Sequence, residues 1–238
     1  MLFANSIFEG FVKSNLIGQG IVIVQLLFSV AMFTVIIGKA SELSALLKAS
    51  RQFISDFRNC NGVLEHYLAH RYVAAYGLEQ VYRVTCERVL GLLSSADRGE
   101  LVASRGSAAV ALTKRDVELV RGSCEHALDE AEIGARHGIG LVVTVVGLAP
   151  MLGLLGTVWG VLDAFFEMGS AGSANLATIA PSISSALVTT VVGLLIAIPG
   201  QMGFNFLHSR IRALTSEMEG FADELIASVG REFLGKDN

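Results

Sequence analysis

Proline and cysteine are scarce in this 238-residue chain, three of each, and there is a single tryptophan. So few cysteines exclude a disulfide-stapled secreted module, and so few prolines exclude a collagen-like chain. Charge is scarce too: Asp, Glu, Lys and Arg make up 17% of residues, with a formal net charge of −4. A mildly acidic balance with no basic stripe interleaved by aromatics points away from nucleic acid as a partner. No Walker-type phosphate loop, internal repeat or low-complexity tract occurs, and no local Ser-His-Asp or Cys-His signature suggests an enzyme. What the chain does have is apolar residues, 52% of the total, with a mean hydropathy of +0.56. That level excludes a disordered chain and exceeds an ordinary soluble domain.

The apolar residues are gathered in runs free of charge. None occurs between Lys13 and Lys39, from His137 to Leu162, or from Met168 to Leu207. A helix rises about 1.5 Å per residue and the hydrocarbon core is about 30 Å thick, so each run is long enough to cross it. The chain reads as an all-α integral membrane protein with three transmembrane helices, its long helices extending into a cytoplasmic helical bundle. The expected organisation is a periplasmic segment 1–15, spans at 16–38, 137–168 and 176–207, a cytoplasmic helical domain 39–136, a periplasmic connector 169–175, and a cytoplasmic helix 208–238. A cleaved signal peptide is disfavoured for the first span, whose run is long and lacks a small-residue cleavage site before Lys39.

Lysine and arginine number one before the first span, thirteen from Lys39 to Arg136, none in the connector and four after the third span. The positive-inside rule then puts the amino terminus and connector outside, and the 39–136 segment and carboxyl terminus in the cytoplasm. Cys60, Cys86 and Cys124 fall in the inward segment, where thiols stay reduced.

In the soluble parts, Leu43, Leu46 and Leu47, then Phe53, Ile54 and Phe57, and later Val117, Val120, Cys124 and Leu128 recur at helical spacing. Ile211, Leu214, Met218, Phe221, Leu225 and Val229 form a stripe that needs a neighbouring helix. Ser94 to Gly106 reads as a loop. His66 and His70, four apart, would share a helical face as metal ligands, but surface histidines are the favoured reading, and no metal or other cofactor is expected.

Within the hairpin, Pro150 frees a backbone carbonyl, and Gly153, Gly156 and Gly160 form a small face for close helix packing. Pro181, Gly193 and Pro199 are packing candidates in the third span. Thr157 is different in kind, because a hydroxyl in mid-membrane must bond its own backbone, water or a partner; both the self-bonded and the pore-lining readings stand. Ser182, Ser185 and Thr189 share one face, for a helix interface or a wet passage. Asp163 and Glu167 are the only acids near the hairpin. A carboxylate inside a membrane is a functional candidate, although both lie toward the outer end of their span.

The strings Gly153-Leu-Leu-Gly-Thr-Val-Trp-Gly160, Ala180-Pro-Ser-Ile-Ser-Ser-Ala-Leu-Val-Thr-Thr190 and Ile198-Pro-Gly-Gln-Met-Gly-Phe-Asn205 resemble the TolQ/ExbB/MotA proton-channel family. The three-span layout is closest to TolQ and ExbB. The resemblance implies a non-enzymatic homopentamer in the bacterial inner membrane, enclosing two copies of a single-span TolR/ExbD-type partner whose aspartate carries the proton. It implies conversion of the proton motive force into mechanical work on a TolA/TonB-type transducer. Thr157 and Thr190 match the family's pore threonines and Asn205 a family asparagine near the cytoplasmic end, so the implied ion path comprises Thr157, Thr190, Thr189, Ser185, Asp163 and Asn205.

One departure stands out: the family usually has glutamate where this chain has Ser185. Either the partner's aspartate suffices, or Asp163 supplies a substitute charge, although it lies about 240° around the helix from Thr157. A sodium-coupled channel and a non-conducting scaffold are the alternatives carried forward.

Overall fold

A computed structural model describes residues 10–12, 14–60, 62–69, 77–94, 97–99, 112–171 and 176–234. Its named elements are all helices: α1 (Leu16–Arg58), α2 (Glu65–Ala69), α3 (Leu78–Leu92), α4 (Lys114–Arg136), α5 (Ile139–Ala171) and α6 (Leu176–Phe233). Among the described residues the structure is 92% helical with no strand, and α1, α5 and α6 are each long and apolar enough to cross a membrane. The chain divides into two compact units, 1–39 with 138–207 and 40–137 with 208–238.

The first unit holds the charge-free runs. Its core is formed by Val22 and Met32 of α1, Val142, Val145 and Ala149 of α5, and Val192 and Ile196 of α6. Around it, Leu27, Val30, Met151, Leu154, Val158, Phe166, Leu195, Ile198 and Met202 are exposed. In water such a surface would be a liability; in lipid it is the expected exterior. Helix α5 has 33 residues and so measures about 50 Å, longer than the hydrocarbon is thick. It runs through Ala171, so Gly169 to Ala171, the first residues of the expected connector, are helical; the Ser170 hydroxyl bonds the Glu167 carbonyl there, and no proline interrupts the turn. The remaining connector residues, 172–175, lie outside the described residues, as do 1–9.

The second unit is built around aromatic edges. Phe53 and Phe57 of α1, Tyr82 of α3 and Phe221 of α6 meet with ring centroids 5.1 to 5.7 Å apart, in the edge-to-face arrangement that aromatic quadrupoles favour. The Tyr82 hydroxyl donates to the Val63 carbonyl at 2.5 Å. Every member of the 211–229 stripe is buried. Helix α4 starts with a capping box: Thr113 Oγ1 accepts from the Asp116 backbone N–H, and the Asp116 carboxylate accepts from the Thr113 N–H. It ends at Arg136, and Gly138, just past the cap residue His137, has a φ of +83° that suits glycine. Arg51 pairs with Glu217 and Arg58 with Glu224, both at 2.7 Å on exposed surface.

The second unit corrects one expectation. His66 is buried, not a surface histidine, because its ring packs edge-on to Phe53 at 5.3 Å. His70, and most of the loop expected at 94–106, lie outside the described residues. Cys86 and Cys124 are buried thiols, and burial pushes both up from the usual thiol range, so neither is a ready nucleophile.

A hydroxyl-lined hairpin as the candidate functional site

The glycine face of α5 meets the hydroxyl face of α6. A Cβ built on Gly153 would stand 2.7 Å from Thr190 Cα, one on Gly156 would stand 2.3 Å from Thr189 Oγ1, and one on Gly160 would stand 2.4 Å from Ala186 Cβ. Such distances are below contact, so only glycine lets the two helices come this close. In this packing Thr189 is 1% exposed and its hydroxyl donates to the carbonyls of Ala186 at 2.7 Å and Gly153 at 3.0 Å. Ser185 is also buried, its hydroxyl on the Ser182 carbonyl at 2.9 Å. The structure therefore places Thr189 and Ser185 inside the hairpin, between its helices.

Thr190 differs from its neighbour. Its i−4 carbonyl, that of Ala186, already accepts from Thr189, and the Thr190 hydroxyl has no hydrogen-bond partner among the described residues. A threonine hydroxyl in a helix normally bonds its own backbone. Thr157 does so, donating to the Leu154 carbonyl at 2.8 Å while remaining partly exposed. Gly153, which faces Thr190, lies one turn from Thr157 on the same side of α5, so the two threonines occupy neighbouring levels of the hairpin. Asn205 is exposed and accepts from the Gln201 side-chain amide at 3.0 Å, away from both threonines in the chain.

Asp163 lies on the face of α5 that carries Gly156 and Gly160. It lines a cavity of about 150 Å³ with Ser14, Asn15, Glu167, Ser182 and Ser185. Asp163 is thus brought together with Ser185, the position where the resemblance anticipates glutamate, and the cavity's described lining holds two carboxylates and no basic side chain. The Asn15 side-chain amide donates to the Asp163 carboxylate. Oxygen-rich lining with uncompensated negative charge raises the local concentration of cations.

Of the packing candidates, Gly193 is the most constrained. A Cβ there would stand 2.5 Å from the Ala149 carbonyl oxygen and 2.9 Å from Gln25 Nε2. Pro150 and Pro199 lie within unbroken helices, as does Pro181. Two polar residues that sequence reasoning passed over complete the site: Asn15 and Gln25. The signals for them were present, an asparagine just before a helix start and one amide in mid-span.

Comparison with known proteins gives a family match and relatives of two kinds. Residues 98–220 match the model of the MotA/TolQ/ExbB proton channel family. The chain is 28% identical over 228 residues to the Tol-Pal system protein TolQ of Haemophilus influenzae, covering 95% of this chain and 94% of that protein. It is 34% identical over 108 residues to the biopolymer transport protein ExbB of Xanthomonas campestris pv. campestris, covering 45% and 43% of the two. It is 34% identical over 112 residues to the Tol-Pal system protein TolQ of Pseudomonas aeruginosa, covering 47% and 48%.

Proposed function

The chain belongs to the MotA/TolQ/ExbB proton channel family, and from that premise we propose that it is an ion-conducting stator subunit of an inner-membrane complex. With a TolR/ExbD-type single-span partner, it converts the proton motive force into work on a Tol-Pal- or TonB-like transducer. A pentamer of this chain encloses two copies of the partner. The amino terminus faces the periplasm and the carboxyl terminus the cytoplasm, in keeping with the concentration of lysine and arginine between residues 39 and 136.

The observation that carries this reading is the Thr190 hydroxyl, which has no partner among the described residues although it lies in a helix crossing the membrane. Such a group is costly unless an ion or water satisfies it. One turn along α5 from Gly153, which faces Thr190, the Thr157 hydroxyl donates to its own backbone and keeps its oxygen able to accept. Asp163, in one cavity with Ser185, supplies the carboxylate that the α6 position lacks. Each proton crossing releases about 2.3 kcal/mol per 100 mV, so several crossings drive a substantial mechanical step.

The test is ion flux into vesicles holding this chain and its partner, with Thr157→Val and Thr190→Val compared to wild type in proton and then sodium gradients. Partner-dependent flux lost on either substitution is the expected result, and the gradient that supports it names the ion. An intact complex without flux in either gradient would make the chain a scaffold.

A further inference from the structure

Gln25 is wholly buried in the middle of an otherwise apolar stretch of α1. Its Nε2 donates to the Ala149 carbonyl at 2.9 Å and lies 3.4 Å from the Thr189 carbonyl. Two carbonyls on one side fix which end of the amide is nitrogen, since the reversed amide would set oxygen against oxygen. One side chain of α1 thus joins α5 and α6, and Gly193 leaves the space through which it does so. The amide rests against the Thr189–Thr190 peptide, which places it beside the threonine whose hydroxyl is free.

The other end of the amide has no such partner. Gln25 Oε1 is enclosed and accepts no hydrogen bond from the described residues, and Thr190 Oγ1 is in the same condition. Two enclosed polar atoms without partners among the described residues, one on Gln25 and one on the threonine next to the carbonyl its amide reaches, are uncommon, because buried polar groups are nearly always satisfied. Lipid offers no donor, and an enclosed atom is out of reach of a side chain from another subunit. Water is the one species small enough to enter and able to donate to Oε1 while bonding a hydroxyl.

We propose that Gln25 Oε1 and Thr190 Oγ1 hold an internal water, so that the hydrated path at Thr190 extends into the subunit as far as α1 and Gln25 is a positioning residue of that path. The functional part of this proposal rests on the channel reading of Thr190; the water site itself does not.

The experiment is transfer of magnetisation from water to the side chains of the 13C,15N-labelled chain in lipid bilayers, followed by solid-state NMR. Gln25 Cδ is expected to receive magnetisation several times faster than the flanking side chains of Val24 and Leu26. Transfer to Cδ as slow as to those neighbours would overturn the proposal. In Thr190→Val the rate at Gln25 Cδ should fall to that of the neighbours, whereas Thr190→Ser should preserve it. An unchanged rate in a folded Thr190→Val chain would overturn the shared water; if that variant does not fold, the wild-type and Thr190→Ser rates decide. Flux through Gln25→Met complexes, expected to drop severalfold with assembly intact, separates the two readings. Hydration at Gln25 without any wild-type flux would sink the channel and leave the water site, and wild-type flux with a dry Gln25 would do the reverse.

Discussion

The side-chain amide of Asn15 donates to the carboxylate of Asp163, 148 positions further along the chain, while its carbonyl oxygen accepts the backbone N–H of Gly18 at 2.8 Å. One residue therefore caps the start of α1 and holds a carboxylate of α5. A carboxylate at a helix amino terminus is also favoured by the helix dipole. If Asp163 supplies the charge that Ser185 does not, Asp163→Asn should lower ion flux severalfold while leaving the complex assembled. Unchanged flux in that variant, with flux lost in Thr157→Val, would leave Asp163 a structural role only.

Close packing of the hairpin gives a second prediction. In Gly153→Ala the new methyl meets backbone, Thr190 Cα at 2.7 Å and the Thr189 carbonyl oxygen at 2.9 Å, and backbone has little freedom to yield. Overpacking of this kind costs about 1–3 kcal/mol, read as a lower melting temperature of the detergent-solubilised protein. Gly147 has none of the described residues within 4 Å of the corresponding position, so Gly147→Ala should melt with the wild type.

In the second unit, Phe221 is fully buried and meets Phe53 and Phe57 edge to face at 5.7 and 5.1 Å. Truncating a buried phenylalanine to alanine costs about 3–5 kcal/mol. Phe221→Ala should shift the denaturant midpoint accordingly, whereas Arg58→Ala, which loses only an exposed ion pair, should hardly move it.

The capping box of α4 carries a pH dependence with a definite sign. The hydroxyl and backbone N–H of Thr113 hold the Asp116 carboxyl below the usual carboxylate range. A depressed folded-state value stabilises the fold above that usual range, and the contribution is lost as pH falls through the lowered value. Thr113→Val should raise the Asp116 titration midpoint in carboxyl NMR. The stability gap between variant and wild type should then be widest at neutral pH and shrink in acid.

The three spans and the buried stripe from Ile211 to Val229 were legible because charge-free length and helical spacing are local properties of the chain. The boundaries expected at 38 and 207 mark where polarity changes, not where helices end: α1 and α6 run through both, since no proline stands at either and Gly38 alone does not break α1. His66 was misjudged because its burial depends on Phe53, in another helix. Gln25 was hidden for a related reason. A single amide barely alters the hydropathy of its span, and its partners, Ala149 and Thr189, lie 124 and 164 positions away. Likewise, the angle between Thr157 and Asp163 excludes a common face but cannot reveal that Asp163 turns toward Ser185.

The backbone N–H of Leu112 bonds the Phe233 carbonyl at 2.6 Å, and the stripe that completes the second unit's core lies wholly after residue 207. On the ribosome, that core must wait. Residues 40–137 emerge first and keep an open apolar face until both hairpin spans have been made and the last helix follows them. Insertion into the bilayer thus comes before completion of the second unit. A synthesis stalled shortly after residue 207 would leave Phe53, Phe57 and Tyr82 without Phe221, a species that chaperones and proteases should recognise.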